Sequence, residues 1–230
     1  MLPWAIDCMP PTSLGDPENL IRMGSDVNGR DVAVLLFEDV EVLDFAGPFE
    51  VFSVASDFAG EAPFNVFTVA ESLETVRTIG GLGVAPNHSF VTSPQPDLLV
   101  VPGGSGTLQE MNNPTLVEWV RRMHDGTEIT MSVCSGARIL AMARLLDGLT
   151  VTTHHQVVEH LAELALRARV DPDRRFIDSG HVITTAGISA GIDGSLHVVA
   201  RLLGREVARA TADYMEYDWT TEGSRTPSRP

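Results

Sequence analysis

Two short stretches, DVAVLLF (31–37) and DLLVV (97–101), are almost uninterrupted runs of apolar residues rich in Val and Leu. A strand with water on one face alternates polar and apolar side chains, so runs like these belong to strands covered on both faces, as in a parallel sheet flanked by helices. The intervening segments agree. After the first run, EDVEVLDFAGPFEVFSVAS breaks at Gly47-Pro48 and then spaces Phe49, Val51, Phe52, Val54 and Ala55 for a helix opened by proline, which leaves Asp44 in the preceding turn. After the second come Gly103 and Gly104, and Asn113-Pro114 then opens a helix through Met123.

Further along, EITMSV (128–133) runs as a strand directly into CSGARILAMARLL, which has helical spacing, with Cys134 at the junction. FNVFTVA (64–70) alternates like a strand, 75–84 reads as an irregular hairpin, and LTVTTHH supplies a short strand. A helix over 156–169, a hairpin around Ser179-Gly180 and two closing helices over 190–203 and 205–217 complete the pattern. Strands alternating with helices predict an α/β domain with a mainly parallel sheet covered on both faces. Ligands then bind where loops leave the carboxyl ends of the strands, and Asp44, Gly103-Gly104 and Cys134 all fall at such ends.

The chain of 230 residues, 43% hydrophobic, fits one domain over 31–217, between an irregular N-terminal extension (1–30) and a polar C-terminal tail (218–230). Its formal charge of -15 works against partnership with nucleic acid or an anionic membrane surface and favours a small neutral or apolar ligand. The two cysteines, Cys8 and Cys134, have neither disulfide-framework nor zinc spacing, and His88, His124, His160, His181 and His197 form no metal pattern with them. No secretory signal and no membrane-spanning run is present, so a reducing, cytoplasmic setting is expected, with no metal or other cofactor.

A cysteine at a helix start meets unpaired backbone N–H groups and the positive end of the helix dipole, which favour the thiolate nucleophile. An isolated cysteine is otherwise commonly a small buried hydrophobe, and the sharp turn favours the reactive reading of Cys134. Asp44 lies in an apolar stretch, either moving protons for the cysteine or capping the following helix. Gly103 and Gly104 offer backbone N–H groups to a developing negative charge, or merely turn the chain. His154 falls beside the pocket, or is a satisfied imidazole without chemistry.

The segments VLLFEDVEVLDFAGPFEVF, PDLLVVPGGSGT, SVCSGARILAMARLLDGLTVTTHH and TTAGISAGIDGSLHVVARLLG, in this order, resemble the ThiJ/PfpI superfamily. That resemblance implies a flavodoxin-like three-layer sandwich with a mainly parallel central sheet and a nucleophile elbow, and commonly a homodimer. Asp44 replaces the glutamate of the peptidase-like and glyoxalase-like branches, and Ser135 replaces the histidine that follows the cysteine in peptidase-like members. The chain is therefore most similar to the isonitrile hydratases and to the sensor domains of AraC-type regulators. The regulators' DNA-binding output domain is not expected, because the chain ends soon after its last predicted helix.

Carried over by motif, the resemblance implies Cys134 as nucleophile, Asp44 as acid/base, and Gly103, Gly104, Ser135 and His154 as substrate-binding residues. The implied reaction is cofactor-independent hydration of an isonitrile, as by a hydro-lyase. Alternatives are a glyoxalase-like or hydrolytic reaction on a small carbonyl compound, or a ligand or redox sensor. Arg138, Arg144 and His155 depart from the pattern, standing where such proteins usually carry Leu, Gly and Trp.

Overall fold

The computed structural model describes residues 29–58 and 64–219; Cys8, most of the predicted extension and most of the polar tail lie outside them. The described chain runs β1 (Arg30–Leu35), α1 (Val42–Phe58), β2 (Phe64–Ala70), β3 (Val76–Arg77), β4 (Gly83–Val84), β5 (His88–Ser89) and β6 (Leu98–Val101). It continues with α2 (Thr107–Glu110), α3 (Pro114–His124), β7 (Ile129–Ser132), a 3-10 turn (Cys134–Gly136), α4 (Ala137–Met142) and β8 (Thr150–Val151). A second 3-10 turn (His155–Val157), α5 (Val158–Leu164), β9 (Arg169–Val170), β10 (Phe176–Asp178), β11 (Val182–Thr185), α6 (Ala190–Leu203) and α7 (Arg205–Tyr214) complete it.

Seven strands form the central sheet in the order β10-β11-β7-β6-β1-β2-β5, parallel except for β10, which returns antiparallel on β11. The apolar run of β1 sits between β2 and β6, with Val32 opposite both Val66 and Leu98, and Val32 to Leu35 have no exposure. Helices α1, α6 and α7 pack together in one layer, while α4 packs with α2, α3 and α5 in another. This is the α/β architecture with a mostly parallel sheet that the sequence predicts. No helix of the described residues is long and apolar enough to cross a membrane.

The sequence misplaces one helix start that matters. Helix α1 begins at Val42, not at Pro48, so Asp44 stands in its first turn and Pro48 is buried inside the helix. The earlier start follows from pairing at β6's end: Val40 bridges Gly104, and the Glu41 amide donates to the Gly103 carbonyl at 2.9 Å. Those contacts set the chain direction before Pro48 is reached. Proline lacks the N–H that would satisfy the carbonyl four residues back, which is that of Asp44.

The segment predicted helical over 156–169 is helical only over Val158–Leu164. Its last part is drawn into β9, whose Arg169 amide donates to Leu149 as β9 pairs with β8. Likewise the helix after Cys134 stops at Met142, and Arg144 takes a left-handed φ of 62°.

Helix α3 is capped as its sequence predicts, the Asn113 side chain accepting from the Thr115 and Leu116 amides with Pro114 next to it. Its Trp119, 1% exposed, stacks on Phe90 with ring centroids 4.5 Å apart, and its indole N–H has no hydrogen-bond partner among the described residues. Trp119→Ala is therefore expected to lower the unfolding free energy by about 3–5 kcal/mol in urea titrations. Trp119→Phe, which keeps a ring and removes the unpaired N–H, should cost less than about 1.5 kcal/mol.

Candidate active site

Cys134 follows β7 by two residues and takes φ 56°, a left-handed conformation uncommon for a side chain with a β-carbon. It is fixed on both sides. Its amide donates to the Ala186 carbonyl at 3.0 Å, and its carbonyl accepts from the buried Thr153 hydroxyl at 2.7 Å. Ile188, whose φ is 51°, turns its own amide to the Cys134 sulfur, as does Ser135. A β-branched residue held in that region is strained by about 1–3 kcal/mol, and here the strained turn supplies a donor to the thiol.

Asp44 has no exposure and reaches the same place from α1. Its Oδ2 accepts from the Gly103 amide at 2.9 Å, while Oδ1 is buried without a hydrogen-bond partner among the described residues. No bond joins the carboxyl to amides of its own helix, so the capping alternative is not what the structure shows. Burial pushes its pKa up to about 7, and Glu41 pushes the same way; the Gly103 amide and the Cys134 thiol pull it down by less.

Burial and the neighbouring Asp44 push the Cys134 thiol up to about 12, against the opposing pull of the Ser135 and Ile188 amides. A helix start does favour a thiolate, but desolvation outweighs it here. The thiol and the carboxyl thus form one coupled pair, in which burial and the Asp44 charge oppose the thiolate that the helix start and the Ser135 and Ile188 amides favour.

The structure corrects the expectation for the glycine amides. Gly103 donates to Asp44, and Gly104 donates to the Ser135 hydroxyl at 3.0 Å, so both position side chains and neither is left to face a ligand. Gly103 is required by space: a β-carbon there would lie 2.6 Å from the Ser135 amide nitrogen and 2.8 Å from Asp44 Oδ2. Ser135, 4% exposed, is further tied through its hydroxyl to the Gly104 carbonyl and to Thr107.

A cleft of about 380 Å³ opens over the sulfur, lined by Cys134, Ser135, Arg138, His154, Gln156 and Ile188, with Glu41 at its edge. His154 starts the second 3-10 turn, its Nδ1 accepting from the Gln156 amide at 3.2 Å and its ring 4.2 Å from that of His155. Gly187 makes room for it, since a β-carbon there would sit 2.1 Å from His154 Cδ2.

All six residues singled out in the sequence thus meet in one region, Asp44 and Gly103 beneath the cleft and the others on its wall. Ile188, whose amide reaches the sulfur, and Gln156 are wall residues that sequence reasoning missed; Arg138, marked only by its departure from the family pattern, does line the cleft. Arg144 instead pairs with Asp147 at the surface, away from the cleft. Among the described residues no cluster of three or more His, Cys, Asp or Glu side chains is placed to hold a metal ion.

A parallel sheet with a cysteine in a strained turn at a strand's carboxyl end, paired with a buried carboxyl, defines a class, and residues 30–201 match the DJ-1/PfpI family. The chain belongs to that family. Among particular relatives, it is 31% identical to an isonitrile hydratase of Pseudomonas putida over 189 residues, which is 81% of this chain and 78% of that protein. It is 24% identical to the HTH-type transcriptional regulator GbdR of Pseudomonas aeruginosa across 83% of this chain, spanning only 52% of the regulator. Among solved structures it is similar to a ThiJ/PfpI family protein from Pseudomonas syringae, with a TM-score of 0.75 and 27% identity, covering 94% of this chain and 84% of that one.

The raised carboxyl has a sign that stability measurements can read. A carboxylic acid whose pKa rises from 3.8 unfolded to about 7 folded favours the native state most below pH 4, and that contribution is lost as pH rises through 7. Asp44→Asn keeps the hydrogen-bonding shape without the charge. It is expected to match wild type at pH 4 and to exceed it at pH 8 by up to about 4 kcal/mol, read from denaturant unfolding at the two pH values.

Proposed function

We propose that the protein hydrates an isonitrile, R–N≡C, to the N-substituted formamide, R–NH–CHO, with Cys134 as nucleophile and Asp44 as the proton carrier. The observation that carries this reading is the Asp44 carboxyl, one oxygen fixed by Gly103 and the other without a hydrogen-bond partner among the described residues, buried against the thiol and ionising near neutrality. The 31% identity to an isonitrile hydratase over most of both chains supports it.

The thiol proton passes to the Asp44 carboxylate as sulfur bonds to the terminal isonitrile carbon, so no free thiolate has to persist in the desolvated site. Asp44 returns that proton to the same carbon, giving a thioimidate, R–N=CH–S–Cys134. Water then adds to this carbon, one of its protons travelling through Asp44 to nitrogen. In the last step the new hydroxyl gives its proton to Asp44, the carbonyl forms and the C–S bond breaks. The departing sulfur recovers the proton from Asp44. One water is consumed and both groups return to their starting states. The Ser135 and Ile188 amides stabilise negative charge on sulfur as it attacks and leaves. A homodimer acting on a small molecule, as expected from the resemblance, belongs to the same proposal, and sedimentation equilibrium measures the assembly.

Purified wild-type protein should convert cyclohexyl isocyanide to the formamide, with Cys134→Ala folded and inactive and Asp44→Asn slowed by at least about 100-fold. Because Asp44 must start ionised, kcat/KM should rise with pH and level off above about 7. Full turnover by Cys134→Ala would end the mechanism. A redox sensor needs a resting thiolate, which burial opposes; brief mild peroxide at pH 7 is accordingly expected to leave the Cys134 peptide unoxidised by mass spectrometry.

A further inference from the structure

The cleft over Cys134 contains a half-buried cation that the chemistry above does not use. Arg138 lies one turn past the nucleophile, in α4, and lines the cleft with it. Its side chain is held in place from two directions. Nε donates to His160 Nδ1 at 3.1 Å, and one terminal nitrogen donates to the Thr107 hydroxyl at 3.1 Å. Thr107 has no exposure and is itself bonded to the Gly104 carbonyl and to Ser135. His160 accepts at Nδ1 only as a neutral ring with its proton on Nε2.

A guanidinium has five N–H groups. Two are used by His160 and Thr107, which leaves three without a protein partner among the described residues. No carboxylate of those residues lies within ion-pair distance of Arg138, and the one acidic side chain on the cleft, Glu41, is not bonded to it. Arg138 and Cys134 line the same cleft, and while desolvation weakens the guanidinium's hold on its proton, negative charge on the sulfur strengthens it. A planar cation held through Nε and one terminal nitrogen keeps both N–H groups of its other terminal nitrogen for the oxygens of a carboxylate.

We propose that Arg138 determines specificity in this cleft by binding a carboxylate on the substrate's R group, a few bonds from the carbon that Cys134 attacks. That the carboxylate belongs to an isonitrile rests on the hydratase reading; that the cleft receives a carboxylate beside Cys134 does not. The net charge of -15 favours neutral ligands at long range, but surface charges are screened beyond about 8 Å at physiological salt, whereas the contact in the cleft is screened far less. The local cation therefore governs what binds once a ligand has entered.

The two layers are separated by two measurements. Iodoacetate and iodoacetamide alkylate the same thiolate and differ chiefly in the carboxylate, so the ratio of their rates at the Cys134 peptide, followed by mass spectrometry apart from Cys8, reads anion recognition and cancels any change in thiol ionisation. Arg138→Leu should lower that ratio about 10- to 100-fold, the span of a charge-assisted hydrogen bond, and Arg138→Lys should fall between, since it keeps the charge without the fork. An unchanged ratio in Arg138→Leu overturns the proposal whatever happens to isonitriles. The second measurement compares kcat/KM for an ω-isocyano carboxylate and its methyl ester. Wild type should prefer the acid and Arg138→Leu should lose the preference; equal losses on both substrates would assign Arg138 a general role and overturn the specificity claim. A falling alkylation ratio with neither isonitrile hydrated would keep the carboxylate site and remove the hydratase reading.

Discussion

A single backbone amide, that of Gly103, holds the carboxyl around which the site is arranged. Asp44 has no exposure, and a buried carboxylate without compensation would unfold its surroundings or stay protonated throughout the physiological range. Burial, only partly offset by the Gly103 hydrogen bond to Oδ2 and by the Cys134 thiol, leaves ionisation near neutrality, where the group can both take and give a proton. That bond also explains the local backbone. It needs Gly103 without a β-carbon, α1 begun early enough to bring Asp44 against β6's end, and the Val40 to Gly104 bridge that starts it there.

The thiol side is built by the opposite strategy, with several weak donors around a strained residue. Cys134 is held in a left-handed conformation by bonds to Ala186 and Thr153, while Ile188 in a similar conformation contributes an amide to sulfur. The carboxyl is poised by having too few partners and the sulfur by having its donors preset. Proton transfer between them therefore needs little rearrangement of the surrounding protein, which is the condition under which electrostatic preorganisation accelerates a reaction.

How far this was legible in the sequence depends on whether the cause was local. The buried runs of β1 and β6 announced a parallel sheet because their apolar pattern is a property of a few consecutive residues. The strand-to-helix junction at Cys134 was legible for the same reason. The start of α1 was not, since Gly47-Pro48 is strong local punctuation that a contact with Gly103, 59 positions away from Asp44, overrules. The burial that opposes ionisation of Cys134 was not legible, because helix effects are local whereas burial is supplied by segments as distant as Ile188. Arg138 stood out only as an unusual residue; its placement on the cleft comes from His160 and Thr107, which no pattern within α4 reveals.

The order of the strands has a temporal meaning. The thiol emerges from synthesis in the middle of the chain, but the groups that enclose it, Thr153, Ala186 and Ile188, are made later, the last two just beyond β11, which pairs with β7. Non-local pairing of this kind is slow because long loops have to be ordered first. A chain without that pairing lacks the Ala186 and Ile188 contacts that enclose the cysteine. A nascent or partly unfolded chain thus carries a common cysteine, and the chemistry is switched on only by completion of the fold.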